Sequence, residues 1–228
     1  MADMTNTPTL LDVELVSPGW INKYLLKYQL ADGSVIEYES VSRKGLEQYK
    51  AQLETNARGE GGRPEHADAV CIVPVLPDDS LLLIREFRYP VNGWVIAFPA
   101  GLIEPGETLR ECVDRELMEE AGCRVRTDFD GDPLIRLPQS GFSSVGMGEE
   151  NVSVVIAYVE PVGEPRLQGP ELIETFTLQR NDVGPFLDKN TDLIGTRAQL
   201  LLEAVRRTNV LKKRLALQQN PITKSDFA

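Results

Sequence analysis

Alternation of apolar and polar residues in the N-terminal quarter of the chain predicts a β-hairpin. The runs Tyr24–Leu30 and Ser34–Val41 flank Ala31-Asp32-Gly33, and Asp-Gly between runs of Tyr, Leu, Val and Ile is typical of a turn joining two antiparallel strands. A polar, glycine-rich stretch without apolar periodicity follows at Asn56–Asp68. We therefore predict an N-terminal hairpin unit, residues 1–57, and a main domain, residues 58–228.

Strands and helices are mixed along the rest of the chain. A second hairpin is predicted from Ala69–Leu76 and Ser80–Phe87, and the last long element, from about Thr196 to Leu217, has apolar residues on one helical face. Further strands are predicted near residues 94–98, 124–126, 134–137, 152–159 and 173–178. This mixture predicts the α+β fold class.

The segment Gly101–Cys123 is predicted to be a loop followed by a helix. Pro105 and Gly106 keep its first part non-helical, and Thr108 with Glu111 forms a capping box that would begin the helix. Apolar residues recur every three or four positions, and Gly122 suits the left-handed position at which a helix ends.

Three glutamates of this helix, Glu116, Glu119 and Glu120, are spaced so that they project from one side. A solvated, glutamate-rich surface is the ordinary interpretation of such a pattern. The alternative is a divalent-metal site, since like charges on one face are unfavourable unless a cation receives them and Mg²⁺ prefers carboxylate oxygen.

Composition narrows the classes of function. The 228 residues carry a net charge of −11, which argues against a general nucleic-acid binder, and no run of apolar residues is long enough for a membrane span. The N-terminus lacks the pattern of a signal peptide, and three cysteines cannot all pair, so we expect a cytoplasmic protein with buried thiols. The sole histidine, His66, is expected in a loop, which disfavours histidine-based chemistry.

The whole segment matches Gly-x5-Glu-x7-Arg-Glu-Φ-x-Glu-Glu-x-Gly-Φ, where Φ is apolar, and thereby resembles the Nudix hydrolase family. The resemblance implies an α/β/α sandwich around a mixed sheet. It also implies Mg²⁺, with Mn²⁺ possible, held first by Glu116 and Glu120 and next by Glu119, with Glu120 also counted as catalytic. Arg115 is expected to orient Glu107 or another carboxylate of the segment.

The flanking sequence resembles the ADP-ribose and ADP-sugar pyrophosphatase branch. Phe98-Pro99-Ala100-Gly101 leads into the segment, and the branch implies a metal contact from the carbonyl of Ala100 and a phosphate contact from Arg88. The implied reaction is hydrolysis of the pyrophosphate bond of ADP-ribose or a related nucleoside diphosphate sugar to a nucleoside monophosphate and a sugar phosphate. A UDP-glucose-type pyrophosphatase and a non-catalytic nucleotide sensor remain alternatives. The basic residues of the C-terminal helix, around Arg206 and Lys212, are interpreted as its solvated face.

The N-terminal hairpin also resembles this branch, in which it is exchanged between subunits. Trp20 and Tyr38 would stack on the base, Arg43 would contact the diphosphate, and a homodimer through the hairpin is expected. Packing in the hairpin core or in the dimer is the alternative interpretation of Tyr38.

The residue that activates water has two candidates. Glu171, before Ile173, and Glu150, in a Gly-Met-Gly-Glu-Glu segment, both match positions in loops that carry such a residue in the branch, and Glu171 is favoured. The sequence departs from the branch at Ala97, where many members have glutamate, and at Glu86, where glutamine is common.

Overall fold

The computed structural model describes residues 7–63, 65 and 67–219, without the side chains of 212–219. His66, residues 1–6 and the charged side chains of 212–214, for which we made predictions, lie outside this part. The chain forms two compact units, which we call the first unit (Met1–Ala69 with Leu137–Val154) and the second unit (Val70–Arg136 with Val155–Ala228). The boundary between residues 57 and 58 stays a prediction.

The first unit contains a three-stranded antiparallel sheet where the sequence predicted two strands. Its elements are β1 (Thr9–Ser17), β2 (Asn22–Gln29), β3 (Val35–Ser42) and α1 (Leu46–Ala57). The predicted hairpin is β2 and β3, joined by a turn in which Gly33 has φ +84°. Strand β1 was missed, although Leu11, Val13 and Leu15 alternate with Asp12 and Glu14 in the sequence; Val13 is the buried residue of this strand. Val13 packs with Tyr24, Leu26 and Tyr49 in a small core.

A segment from later in the chain completes the first unit. Strand β10 (Gly141–Phe142) pairs with the start of β11 (Asn151–Pro161). The loop between them is fastened to β3, because the Val41 amide donates to the Met147 carbonyl at 2.8 Å and the Ser42 hydroxyl donates to Glu149 Oε1 at 2.6 Å.

The second unit is built on a mixed sheet. The further elements of the chain are β4 (Ala69–Val75), β5 (Leu81–Arg88), β6 (Gly93–Ala97), β7 (Ala100–Leu102), α2 (Leu109–Ala121), β8 (Cys123–Val125), β9 (Leu134–Arg136), β12 (Ile173–Leu178), α3 (Val183–Lys189), β13 (Leu193–Ile194) and α4 (Thr196–Gln219). The strand order of the sheet is β11-β4-β5-β6-β13, in which β5 and β6 are antiparallel and β6 and β13 are parallel. The predicted α+β class, mixed sheet and long C-terminal helix are thus confirmed.

Helix α2 packs on this sheet through its apolar face. Cys112, Val113 and Leu117 are fully buried and share one core cluster with Leu82 of β5 and Val155 of β11. Glu116 and Glu120 are also buried on this side of the helix, whereas Arg110, Glu111 and Asp114 are on its more exposed side. No helix in the described part of the chain combines the length and hydropathy that a membrane span needs.

Candidate metal centre and substrate residues

Both ends of α2 are fixed by local interactions that the sequence predicted. The Thr108 hydroxyl accepts a hydrogen bond from the Glu111 amide and the Glu111 carboxylate accepts one from the Thr108 amide, which completes the capping box. Gly122 ends the helix at φ +60°, and a Cβ there would lie 2.1 Å from the Gly163 carbonyl oxygen. Any side chain at position 122 would clash with this carbonyl, so only glycine lets the backbone at Gly163 pack against the end of the helix.

Gly101 allows Glu116 to approach the backbone of β7. A Cβ at Gly101 would lie 1.7 Å from Glu116 Oε1, far inside van der Waals contact. The adjacent Ala100 amide donates a hydrogen bond of 3.0 Å to Glu120 Oε2. Strand β7 therefore contacts both carboxylates, since Gly101 leaves the space that Glu116 fills and Ala100 donates a hydrogen bond to Glu120.

Arg115 joins the carboxylates of the segment. Its guanidinium donates to both carboxylate oxygens of Glu107 at 2.8 and 3.0 Å, to Glu116 Oε1 at 2.6 Å and to Glu119 Oε2 at 3.2 Å. These hydrogen bonds hold the pKa of Glu107 below its usual value. The predicted orienting contact between Arg115 and Glu107 is confirmed.

Glu116 and Glu120 are buried although both are acidic, with 7% and 5% of their surfaces exposed. Burial raises the pKa of Glu116, and burial is also the largest cause of a rise in the pKa of Glu120 to about 9. The negative charges of Glu116, Glu86 and Glu171 act on Glu120 in the same direction. The two side chains carry a desolvation penalty that a nearby cation would relieve.

Gln168, which was not predicted as a site residue, forms hydrogen bonds with both Glu119 and Glu171. The Gln168 side-chain amide donates to Glu119 Oε1, and the Gln168 backbone amide donates to Glu171 Oε2 at 2.8 Å. Glu171 is exposed to solvent, yet its charge raises the pKa of Glu116 and Glu120. The second unit thus brings Ala100, the three glutamates of α2 and Glu171 into one electrostatic neighbourhood.

Glu86 belongs to the same neighbourhood and was missed as a site residue. It is buried on β5, its pKa is raised by burial, and the charge of Glu171 adds to the rise. Arg88, the predicted phosphate contact, is half-exposed, and its Nη2 lies 2.8 Å from Glu86 Oε2.

The chemistry of these donors fits a hard divalent cation. The described residues contain no three acidic, cysteine or histidine side chains arranged to hold an ion as they stand. Glu116 and Glu119 instead accept hydrogen bonds from Arg115. The buried Oε2 of Glu86 is ion-paired with Arg88 Nη2 at 2.8 Å but accepts no hydrogen bond within the described residues.

The remaining predicted residues lie in the first unit. Arg43 forms an ion pair with Glu150, whose Oε1 also accepts a hydrogen bond of 3.0 Å from the Ser143 hydroxyl. The Tyr38 hydroxyl donates to the Gly146 carbonyl at 2.9 Å, and its side chain is otherwise exposed. Trp20 lies in the turn between β1 and β2 with 77% of its surface exposed. Tyr38 is therefore not the buried core residue that one interpretation of the sequence allowed.

Comparison with known proteins places the chain among nucleotide-processing enzymes. The family model described as the NUDIX domain matches residues 65–195. The chain is 37% identical over 94 residues to ADP compounds hydrolase NudE of Escherichia coli (strain K12), a match that covers 39% of this chain and half of that protein. It is 32% identical over 199 residues to the ADP-sugar pyrophosphatase of Mus musculus, covering 84% of this chain and 80% of the mouse protein. A crystal structure of an ADP compounds hydrolase is similar with a TM-score of 0.65 and 25% identity, covering 91% of this chain and 96% of the other.

Replacing Glu120 by glutamine should stabilise the metal-free protein at alkaline pH. A carboxyl whose pKa is raised from 4.5 to about 9 on folding binds more protons in the folded state, so the stability of the protein falls as pH rises between these values. Without metal, Glu120→Gln should therefore melt above the wild type at pH 8, and the difference should shrink toward pH 5. Thermal unfolding in EDTA measures this, with Asp114→Asn on the same helix as the control. A lower melting temperature for Glu120→Gln at pH 8 would contradict the buried-charge account.

Proposed function

Because the chain belongs to the NUDIX family, we propose that it hydrolyses the pyrophosphate bond of ADP-ribose or a related nucleoside diphosphate sugar. The products would be a nucleoside monophosphate and a sugar phosphate. The observation that carries this proposal is the pair of buried carboxylates, Glu116 and Glu120, on one side of α2. Relatives named ADP-sugar pyrophosphatase and ADP compounds hydrolase support the choice of substrate class.

Mg²⁺, with Mn²⁺ as the substitute, would be held by Glu116 and Glu120, with Glu119 and the Ala100 carbonyl as further ligands. When bound, such a cation neutralises charge on pyrophosphate oxygens and positions a water molecule for attack. Arg115 keeps Glu107, Glu116 and Glu119 together through its guanidinium. Gly101 leaves the space into which Glu116 extends.

Glu171 is the better candidate for accepting the proton of the attacking water. Its carboxylate is exposed and accepts a hydrogen bond from the Gln168 backbone amide, while the Gln168 side-chain amide donates to Glu119 and so ties the same loop to α2. Glu150 is engaged by Arg43 on one oxygen and by Ser143 on the other, so less of its acceptor capacity is left for water. We therefore assign the general base to Glu171 and keep Glu150 as the second candidate.

Substrate recognition is assigned to Trp20, Tyr38, Arg43 and Arg88. Trp20 and Tyr38 expose aromatic surface on which a base can stack. Arg43 and Arg88 are each paired with a glutamate, so a phosphate group that binds either guanidinium would compete with that glutamate.

We further propose a homodimer assembled through the N-terminal unit in a reducing cytoplasm. Several large apolar side chains of this unit are exposed, among them Leu11, Val16, Val35 and Ile36, which a second copy could cover. All three cysteines are free and buried, and burial raises the pKa of the Cys71 thiol to about 11, which keeps it unreactive.

The reaction is tested by incubating the protein and Mg²⁺ separately with ADP-ribose, UDP-glucose, NADH and dinucleoside polyphosphates. We expect ADP-ribose to give AMP and ribose 5-phosphate. Glu120→Gln should lower kcat/KM at least about 100-fold, since even changes outside the ligand shell cost about 10- to 100-fold at metal sites. Asp114→Asn, which removes a carboxylate from the same helix, should be active. Turnover of UDP-glucose alone would favour the alternative pyrophosphatase, and no turnover of any sugar nucleotide by the wild type would refute the proposal.

Base stacking is tested by Trp20→Ala, with Trp20→Phe as the matched control. Loss of one aromatic platform costs about 1–3 kcal/mol, so KM for ADP-ribose should rise about 5- to 150-fold while kcat changes little. The phenylalanine variant should recover most of the affinity. An unchanged KM in Trp20→Ala would remove this residue from the proposed substrate site.

The dimer is tested by light scattering coupled to gel filtration. Ile36→Asp places a charge in the exposed apolar surface and should shift the wild-type dimer toward monomer. Gln48→Asp adds the same charge at an exposed position of α1 and should leave the dimer intact. A monomeric wild type would contradict the proposed assembly.

A further inference from the structure

We propose that Glu86 supplies a carboxylate oxygen to the divalent-cation site, in addition to the glutamates of α2. This inference rests on the metal-dependent function proposed above. It concerns a residue on a central strand of the sheet, outside the acidic segment that the sequence pattern defines.

The register of β5 directs Glu86 toward α2. Leu82 packs in the core cluster with Val113 and Leu117 of the helix, and Glu86 follows it by four residues on the same face of the strand. Glu86 lies close enough to Glu120 for its charge to act on that carboxylate, and the charge of Glu171 acts on Glu86 in turn. Carboxyl groups from a strand, a helix and a loop therefore lie within electrostatic range of one another.

The surroundings of Glu86 leave its charge incompletely compensated. The backbone is paired with Val95 on one side and Ile173 on the other, and 9% of the residue is exposed. Its buried Oε2 lies 2.8 Å from Arg88 Nη2 but accepts no hydrogen bond within the described residues. The charge of the half-exposed Arg88 lowers the pKa of Glu86 but offsets only part of the desolvation, because the pKa stays above its usual value. A cation shared with Glu120 would compensate both charges.

Ala97 lies on the same face, beside Glu86. It is paired with Ile84, two residues before Glu86, so the two positions are diagonal neighbours across β5 and β6. A long side chain at position 97 would reach the space in front of Glu86. The carboxylate expected at position 97 from the resemblance is thus replaced by one that projects from the adjacent strand.

The inference is tested by Mn²⁺ binding to the full chain, measured by electron paramagnetic resonance of free Mn²⁺. Glu86→Gln should weaken binding about 10- to 100-fold, the range found when residues around metal sites are altered. Glu86→Gln combined with Ala97→Glu should regain at least part of the affinity. Glu174→Gln, which removes an exposed carboxylate paired with Arg85 on β5, is the matched control and should bind as the wild type does.

Unchanged Mn²⁺ affinity in Glu86→Gln, with a wild type that binds Mn²⁺, would overturn this inference and leave the proposed function intact. Glu86 would then serve only as the ion-pair partner of Arg88. A wild type that binds no Mn²⁺ would overturn both. Thermal unfolding in EDTA shows that each variant is folded. At neutral pH Glu86→Gln should melt no lower than the wild type, because the raised pKa of Glu86 means that its charged form is disfavoured in the folded state.

Discussion

Burial of several carboxyl groups near one another is the constraint on which the second unit depends. Glu116 and Glu120 are held out of water on α2, and the buried Glu86 of β5 lies close enough for its charge to act on Glu120. Burying one such group without a partner costs several kcal/mol, and neighbouring like charges add to that cost. The arrangement is understandable if the folded protein is stabilised by a cation that the unfolded chain cannot bind.

The surrounding residues restrict the positions that the buried carboxyl groups can take. The capping box and Gly122 fix both ends of the helix, while Gly101 leaves room for Glu116 alone. Arg115 holds the outer carboxylates by hydrogen bonds but reaches neither Glu120 nor Glu86 within the described contacts. Arg115 therefore holds Glu107, Glu116 and Glu119 in place, and Glu120 and Glu86 are left for a bound cation to compensate. Trp20 and Tyr38, which we propose as base-stacking residues, belong to the first unit.

Local patterns predicted α2 and its glutamates because their signals are contained within 23 residues. The capping residues, apolar period and acidic spacing are all readable without tertiary structure. Glu86 was missed because Arg-Glu-Phe-Arg resembles the charged end of a strand. The alternation Leu82, Ile84, Glu86 was the available signal, since it places the glutamate on the buried face. Gln168, which links Glu119 to Glu171, and the pairing of Arg43 with Glu150 join residues far apart in the chain, and no local pattern encodes such contacts.

Calorimetric titration of Mg²⁺ into the wild type and into Glu116→Gln/Glu120→Gln, repeated in buffers of different ionisation enthalpy at pH 7.5, tests this account most directly. The pKa of Glu120 lies at about 9, so this carboxyl is protonated before the ion binds and must lose its proton to act as a ligand. The wild type should bind Mg²⁺ with release of about one proton, and the double variant should not bind. Binding without proton release, or equal affinity in both proteins, would contradict the claim that these buried carboxylates exist to receive a divalent cation.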